Sequence, residues 1–197
     1  PRRQRQMCIR DRFNTDPLPA RLRSYLSGHA LVPVYGGGTP ESEFEVLCGI
    51  PALPTIEENI FASLQGHPVD CLPRLLQEQG YRTIATAAND PHIFNAAAAY
   101  ASLGFEAVHF SRDIPHEDLD GGHPADAQVF AHVKARILAH QQDAADTPLL
   151  TYTLTIAGHQ PYHLDPAKRP AVIETSGSET MTQLANRLRY SAEETLQ

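Results

Sequence analysis

Apolar positions recur along the chain at two periods, and the two alternate. Leu18, Leu22, Tyr25 and Leu26 share one helical face and predict a helix over 17–27. A short apolar run predicts a strand over 30–35, followed by a Gly-rich loop at 36–38 and a helix over 40–48 with Pro in its first turn. Further helices are expected over 70–79, closed by Gly80, and over 95–103, Ala-rich and closed by Gly104. Strands are expected over 81–87, 105–110 and 149–156, with helices over 125–140 and 175–196. There is no internal repeat and no long linker. Strands alternating with helices predict an α/β fold on a mostly parallel sheet flanked by helices.

In such sheets ligands gather beyond the carboxyl ends of the strands. Three expected loops there carry chemical side chains: GGGT after 30–35, AANDPHIFN after 81–87, and AGHQPY after 149–156. Thr39 follows the glycines, where it is expected to cap the next helix, with Ser42 or Glu43 in the first turn. The same position also suits chemistry. A hydroxyl at a helix N-terminus lies beside backbone donors and the positive end of the dipole, and near a divalent metal it can ionise and act as a nucleophile. GGGT is not a P-loop, because no Gly-Lys-Ser/Thr follows.

His159 is either a surface-loop histidine or a donor to a phosphate or sulfate oxygen, with His163 close by in sequence. An Asx turn at Asn89–Asp90–Pro91 explains two polar residues of the middle loop without function and leaves His92 and Asn95 as weaker binding candidates. His109, His116, His123 and His132 are expected to be solvated. So is the acidic loop of Asp113, Glu117, Asp118 and Asp120, which has no regular metal-ligand spacing.

The 197 residues suffice for one domain with a sizeable core. A net charge of −7 disfavours a nucleic-acid partner. No apolar run approaches the roughly 18 residues of a membrane span, and no signal-peptide pattern is visible. Sixteen prolines and ten histidines fit a loop-rich α/β chain better than a helical bundle. The opening PRRQRQMCIRDR is basic and aperiodic ahead of an acidic remainder, and resembles translated sequencing adapter. Residues 1–12 are therefore expected to be a non-native leader, and 13–197 part of a catalytic domain. The closing SAEETLQ stops inside a helical pattern, consistent with a fragment. Beyond Cys8 the cysteines are Cys48 and Cys71, whose spacing fits no zinc motif. They are either a disulfide in an extracytoplasmic domain or two small buried hydrophobes, and composition leaves both open.

The segment GGGTPESEFEVLCGIP resembles the nucleophile segment of the lipoteichoic acid synthase-like sulfatases of the alkaline phosphatase superfamily. GYRTIATAANDPHIFNAAAAYASLGFEAVHF resembles that family's next strand, loop and helix, and LLTYTLTIAGHQPYHLD its following strand and His-x-Pro-Tyr/Phe loop. LANRLRYSAEETLQ resembles the helix before its last metal motif. The likeness extends over about 18–197.

It implies that Thr39 is both nucleophile and ligand of one divalent metal, usually manganese. It also implies that His159 binds the substrate phosphoryl group, with Asn95 and His92 as further substrate contacts. The implied reaction takes a phosphoglycerol- or phosphoethanolamine-type group from a phospholipid donor to a hydroxyl acceptor. The implied setting is the cell membrane, reached through an N-terminal region, with the catalytic domain on the periplasmic or extracellular side. That setting favours a Cys48–Cys71 disulfide.

The chain departs from the family in two respects. The family's early metal-binding Glu and late Asp-His pair are not seen, so the segment alone is expected to lack a complete metal site. Where the family carries a His after the strand and an Arg after the Asn, this chain has Ala87 and Ala96. That implies a different head group, such as phosphatidylethanolamine, or lost activity. The alternatives are a sulfatase or phosphodiesterase on the same fold, or a degenerate binding domain. The Cys/Ser-x-Pro-x-Arg signature of classical sulfatases is absent.

Overall fold

A computed structural model describes residues 38–52, 59–117, 123–156, 159, 164–174 and 177–194. The helix expected at 17–27 and the strand expected at 30–35 lie outside the described residues. The chain divides into two compact units, Ala30–Ile114 with Phe130–Leu154, and Pro1–His29 with Pro115–Val129 and Thr155–Gln197.

The first unit is built on a parallel sheet of β1 (Arg82–Ala87), β2 (Ala107–Phe110) and β3 (Leu149–Leu154), in the order β2-β1-β3. Ala85 of β1 pairs with Val108 on one side and Tyr152 on the other. The central strand is the most buried, and its small residues Ala85 and Ala87 let helices approach closely. Around the sheet lie α1 (Thr39–Cys48), α2 (Ile60–Ser63), α3 (Leu72–Glu78), α4 (Ala96–Leu103) and the larger part of α5 (Asp126–Asp143). The four-residue α2 is too short to show a period. It is fixed by Asn59, whose Oδ1 accepts the Ala62 N–H at 3.2 Å.

Tyr100 is the centre of the core. Its ring meets Phe61 and Phe105 edge-on, each at 5.7 Å, and lies 6.3 Å from Phe110 and 6.4 Å from Tyr152. The alanines of α4 bring this ring down onto the strands, with Ala96, Ala99 and Leu103 buried beside it. Gly104 ends α4 at φ +97°, and a Cβ there would stand 2.6 Å from the Cβ of Arg74. Both the backbone angle and the close approach require glycine. Arg74 binds the joint from α3, donating to the carbonyls of Val69 at 3.1 Å and Ser102 at 2.9 Å. Cys48, the last residue of α1, and Cys71, the N-cap of α3, are joined by a disulfide.

In the second unit α6 (Glu179–Glu194) organises an extended segment. Buried Asn186 accepts the N–H groups of Val172 at 2.7 Å and Ile173 at 2.9 Å. It donates to the carbonyls of Ile173 and Thr182, both at 2.8 Å, so every hydrogen-bonding site of its amide is used. Tyr190 donates to the Pro170 carbonyl at 2.7 Å, with the Arg169 guanidinium 5.3 Å from its ring centre.

Candidate active site

The helix that carries Thr39 begins one residue earlier than the capping expectation allows. Gly38 is the N-cap, at φ −68° and ψ 84°, and Thr39 is the first helical residue. The Thr39 hydroxyl is therefore not in the capping position. Pro40 is tolerated at the second position, because it has no N–H to satisfy and its ring pre-sets the helical φ. Ser42 closes the turn, its amide and its hydroxyl both donating to the Gly38 carbonyl, at 3.1 and 2.9 Å. By the geometry of helix ends, the N–H groups of Thr39 and Glu41 have no intrahelical acceptor, and they point out of the N-terminus. Thr39 is half-buried.

The two outer carboxylates of α1 serve as ties. Glu41 accepts the Ile60 N–H at 3.1 Å and Glu45 the Ala52 N–H at 3.0 Å. Glu43 does something else. The inner face of α1 is Pro40, Glu43, Phe44 and Leu47, so a carboxyl occupies a core position. Tyr100 of α4 donates its hydroxyl to Glu43 Oε2, and the Tyr152 hydroxyl of β3 lies near enough to the carboxyl to affect its ionisation. Burial pushes the Glu43 carboxyl up to about 6, against the opposing pull of the Tyr100 and Tyr152 hydroxyls. Both phenols are raised above their ordinary range, by burial first and then by Glu43. Sequence reasoning placed Glu43 beside the cap. The missed signal was an acidic residue falling in step with Pro40, Phe44 and Leu47.

The loop after β1 forms the Asx turn, with Asp90 Oδ1 accepting the His92 N–H at 2.8 Å. Asn89 is buried and its carbonyl accepts the Ser111 N–H at 3.1 Å. The loop then does what its residue types do not announce. Phe94 and Asn95 both take left-handed conformations, at φ 55° and 59°, which is uncommon for a bulky side chain. This turn leaves Ile93, Phe94 and His92 exposed. Asn95 precedes α4 instead of opening it as a helical residue, and its amide donates to Gln65 Oε1 at 3.3 Å.

Thr39, Cys48, Cys71, His92 and Asn95 thus fall in one compact unit, and His159 belongs to the other. His159 is exposed, and its N–H donates to the Ile156 carbonyl at 2.8 Å. His163 lies outside the described residues. The four histidines expected to be solvated are not: His109, His116, His123 and His132 are all half-buried. His109 of β2 and His132 of α5 pack edge to face at 4.9 Å, and burial followed by the Arg136 charge lowers the His109 pKa. His132 is lowered by burial first, then by His109 and Arg136. Of the acidic loop, Asp113 is recruited, its Oδ2 accepting the Phe110 N–H at 2.8 Å. Asp118 and Asp120 lie outside the described residues.

Among the described residues no three His, Cys, Asp or Glu side chains are placed to hold a metal ion. Thr39 offers a single oxygen, so the described donors do not by themselves fit a divalent metal.

A parallel sheet flanked by helices is the α/β frame on which the Thr39 turn is built. The chain belongs to the sulfatase family, whose sequence model matches residues 8–193. Among curated proteins it is 24% identical over 152 residues to a putative cyclic beta-1,2-glucan modification protein of Rhizobium meliloti (strain 1021), covering 77% of this chain. The chain spans about a quarter of the length of the curated relatives it matches, 25% and 23%.

Two solved structures share its fold. The lipoteichoic acid synthase LtaP from Listeria monocytogenes superposes with a TM-score of 0.69 at 18% identity, over 82% of this chain and 39% of that one. The Streptococcus pyogenes phosphoglycerol transferase GacH, in complex with sn-glycerol-1-phosphate, gives 0.66 at 20% identity, over 90% and 47%. The α/β class with a parallel sheet flanked by helices, read from the alternation of elements, is that of these lipoteichoic acid synthase-like, alkaline phosphatase-type neighbours.

Proposed function

We propose that the chain is the nucleophile-bearing part of a phosphoryl-group transferase, with Thr39 as the nucleophile. The observation that carries this reading is the placement of Thr39 as the first residue of α1, behind a glycine cap that leaves its hydroxyl out of the capping role. In the reaction we propose, Thr39 Oγ1 forms a bond to phosphorus of a phospholipid diester. The bond to the diacylglycerol oxygen breaks, and that oxygen leaves with the proton that Thr39 gives up. An acceptor hydroxyl then displaces Thr39, which regains a proton. The N–H groups of Thr39 and Glu41 and the positive end of α1 favour the phosphate charge.

The transferred group is proposed to be phosphoglycerol, in keeping with the phosphoglycerol transferase of Streptococcus pyogenes, and the acceptor a saccharide hydroxyl, in keeping with the name of the Rhizobium relative. Ala87 and Ala96 leave phosphoethanolamine as the competing head group. His159, His92 and Asn95 are proposed as phosphoryl and head-group contacts.

A divalent cation, manganese by family resemblance, would lower the Thr39 hydroxyl pKa and screen phosphate charge. Only Thr39 of the described residues would serve as a ligand, so no step is derived through the ion. We place the domain outside the cytoplasm, anchored to the membrane. The Cys48–Cys71 disulfide supports an oxidising compartment. Among the described residues no helix is long and apolar enough to cross a membrane.

The test is diacylglycerol release from labelled phosphatidylglycerol and phosphatidylethanolamine by the complete protein with manganese. Release from one lipid, lowered by about a thousandfold or more in Thr39→Ala, is expected. Turnover that survives in Thr39→Ala would overturn the reading. Sustained multiple-turnover release without any acceptor, beyond the first stoichiometric burst, would make the protein a hydrolase.

A further inference from the structure

The inner face of α1 should be apolar throughout, yet it carries Glu43 at 5% exposure. A buried acid in a core stripe is expensive unless its oxygens are bonded. Here the carboxyl is bonded from another element, by the Tyr100 hydroxyl of α4, with the Tyr152 hydroxyl of β3 close by. Neither tyrosine is free to drift. Tyr100 is wedged among Phe61, Phe105, Phe110 and Tyr152, and Tyr152 lies in a strand paired to β1 and 6.0 Å from Phe105.

Glu43 is four residues on from Thr39, so the two stand one turn apart on the same side of the helix. The larger packing contacts of α1 are with α2 and α3. Its polar reach to the sheet layer runs through this carboxyl. Glu41 and Glu45, the other acids of α1, are engaged with the backbone of Ile60 and Ala52.

We propose that Glu43 is a positioning residue: its carboxyl, bonded by the hydroxyl of the wedged Tyr100, holds the first turn of α1, and with it Thr39, in register with the ring cluster packed on the sheet. An apolar side chain at this position would fill the space as well but would not fix the height and rotation of the helix. A dispersive contact tolerates sliding, and a hydrogen bond to a rigid donor does not. The link from Glu43 to turnover rests on the proposed role of Thr39.

The Ser42 amide, which donates to the Gly38 carbonyl, reports directly on closure of the Thr39 turn. The test is amide hydrogen exchange, with steady-state phosphodiester turnover alongside, in the complete protein. Glu43→Leu is expected to speed Ser42 exchange by about tenfold while amides of β1 stay unchanged, because the first turn opens locally. Glu43→Gln, which keeps an acceptor for the Tyr100 hydroxyl, is expected to restore protection. Tyr100→Phe removes the donor and almost no volume, and is expected to speed Ser42 exchange as Glu43→Leu does. It decides the matter if Glu43→Leu does not fold. Turnover by Glu43→Leu is expected to lose about a hundredfold in kcat with KM little changed, the signature of a misplaced reacting group.

Unchanged Ser42 exchange in Glu43→Leu and Tyr100→Phe would overturn the inference. So would a loosened turn with normal kcat in Glu43→Leu when Thr39→Ala is inactive. If Thr39→Ala retains full turnover, the proposed function fails, and the exchange data still decide whether Glu43 anchors the turn.

Discussion

Glu43 gives the molecule a pH dependence whose sign follows from its burial. Its carboxyl is pushed up to about 6 from an ordinary 4.5, so the folded state binds the proton more tightly than the unfolded chain does. The protonated form contributes its full stability below about 4.5. That contribution is lost as pH rises through about 6, a fall of about 2 kcal/mol from this group. Glu43→Gln carries no ionisable group and keeps the hydroxyl acceptor. Chemical denaturation of both proteins at pH 4.5 and pH 8 is therefore expected to show the variant gaining on the wild type by about 2 kcal/mol across that interval. Parallel pH dependences would show that the Glu43 carboxyl has the same affinity for its proton in the folded and unfolded states. Thr39 carries the opposite lesson at the same scale. Its hydroxyl matters because Gly38 has taken the capping role from it.

At the scale of elements, α1 is fixed at both ends, by the turn at Gly38 and by the Cys48–Cys71 disulfide. The two cysteines are 23 residues apart in sequence, and closing a loop of that length stabilises the fold by about 3 kcal/mol through the unfolded chain. Replacing both by alanine is expected to lower unfolding stability by about that amount, read by denaturant titration against a reduced and alkylated control. A change below about 0.5 kcal/mol would show that the bond does not constrain the unfolded chain.

Most described elements were legible in the sequence. The α4 boundary lay in the alanine run and Gly104, and the parallel strands lay in their alternation with helices. The short α2 was not legible, because four residues carry no period. Neither was the left-handed pair Phe94–Asn95, a backbone conformation that a bulky residue such as Phe does not announce. The half-buried histidines were misread as solvated because imidazole packs on apolar or polar neighbours alike, and only the fold sets His109 against His132. The candidate site was legible as far as Thr39, whose glycine-rich approach is local. Glu43 was not, because its partners, Tyr100 and Tyr152, are remote in sequence.

At the scale of the whole molecule, the sulfatase-family chain presents Thr39 on a helix fixed against a parallel sheet. In the proposed reaction the donor and the acceptor hydroxyl react in turn with Thr39, so a covalent phosphoryl-threonine lies on its path. The most direct measurement is peptide mass spectrometry of the complete protein, quenched in acid after incubation with phosphatidylglycerol and manganese in the absence of acceptor. The account predicts a phosphoglycerol adduct on the peptide containing Thr39, absent from Thr39→Ala and discharged when a saccharide acceptor is added. Diacylglycerol release in burst and steady phases with no adduct on that peptide, or an adduct on another residue, would contradict it.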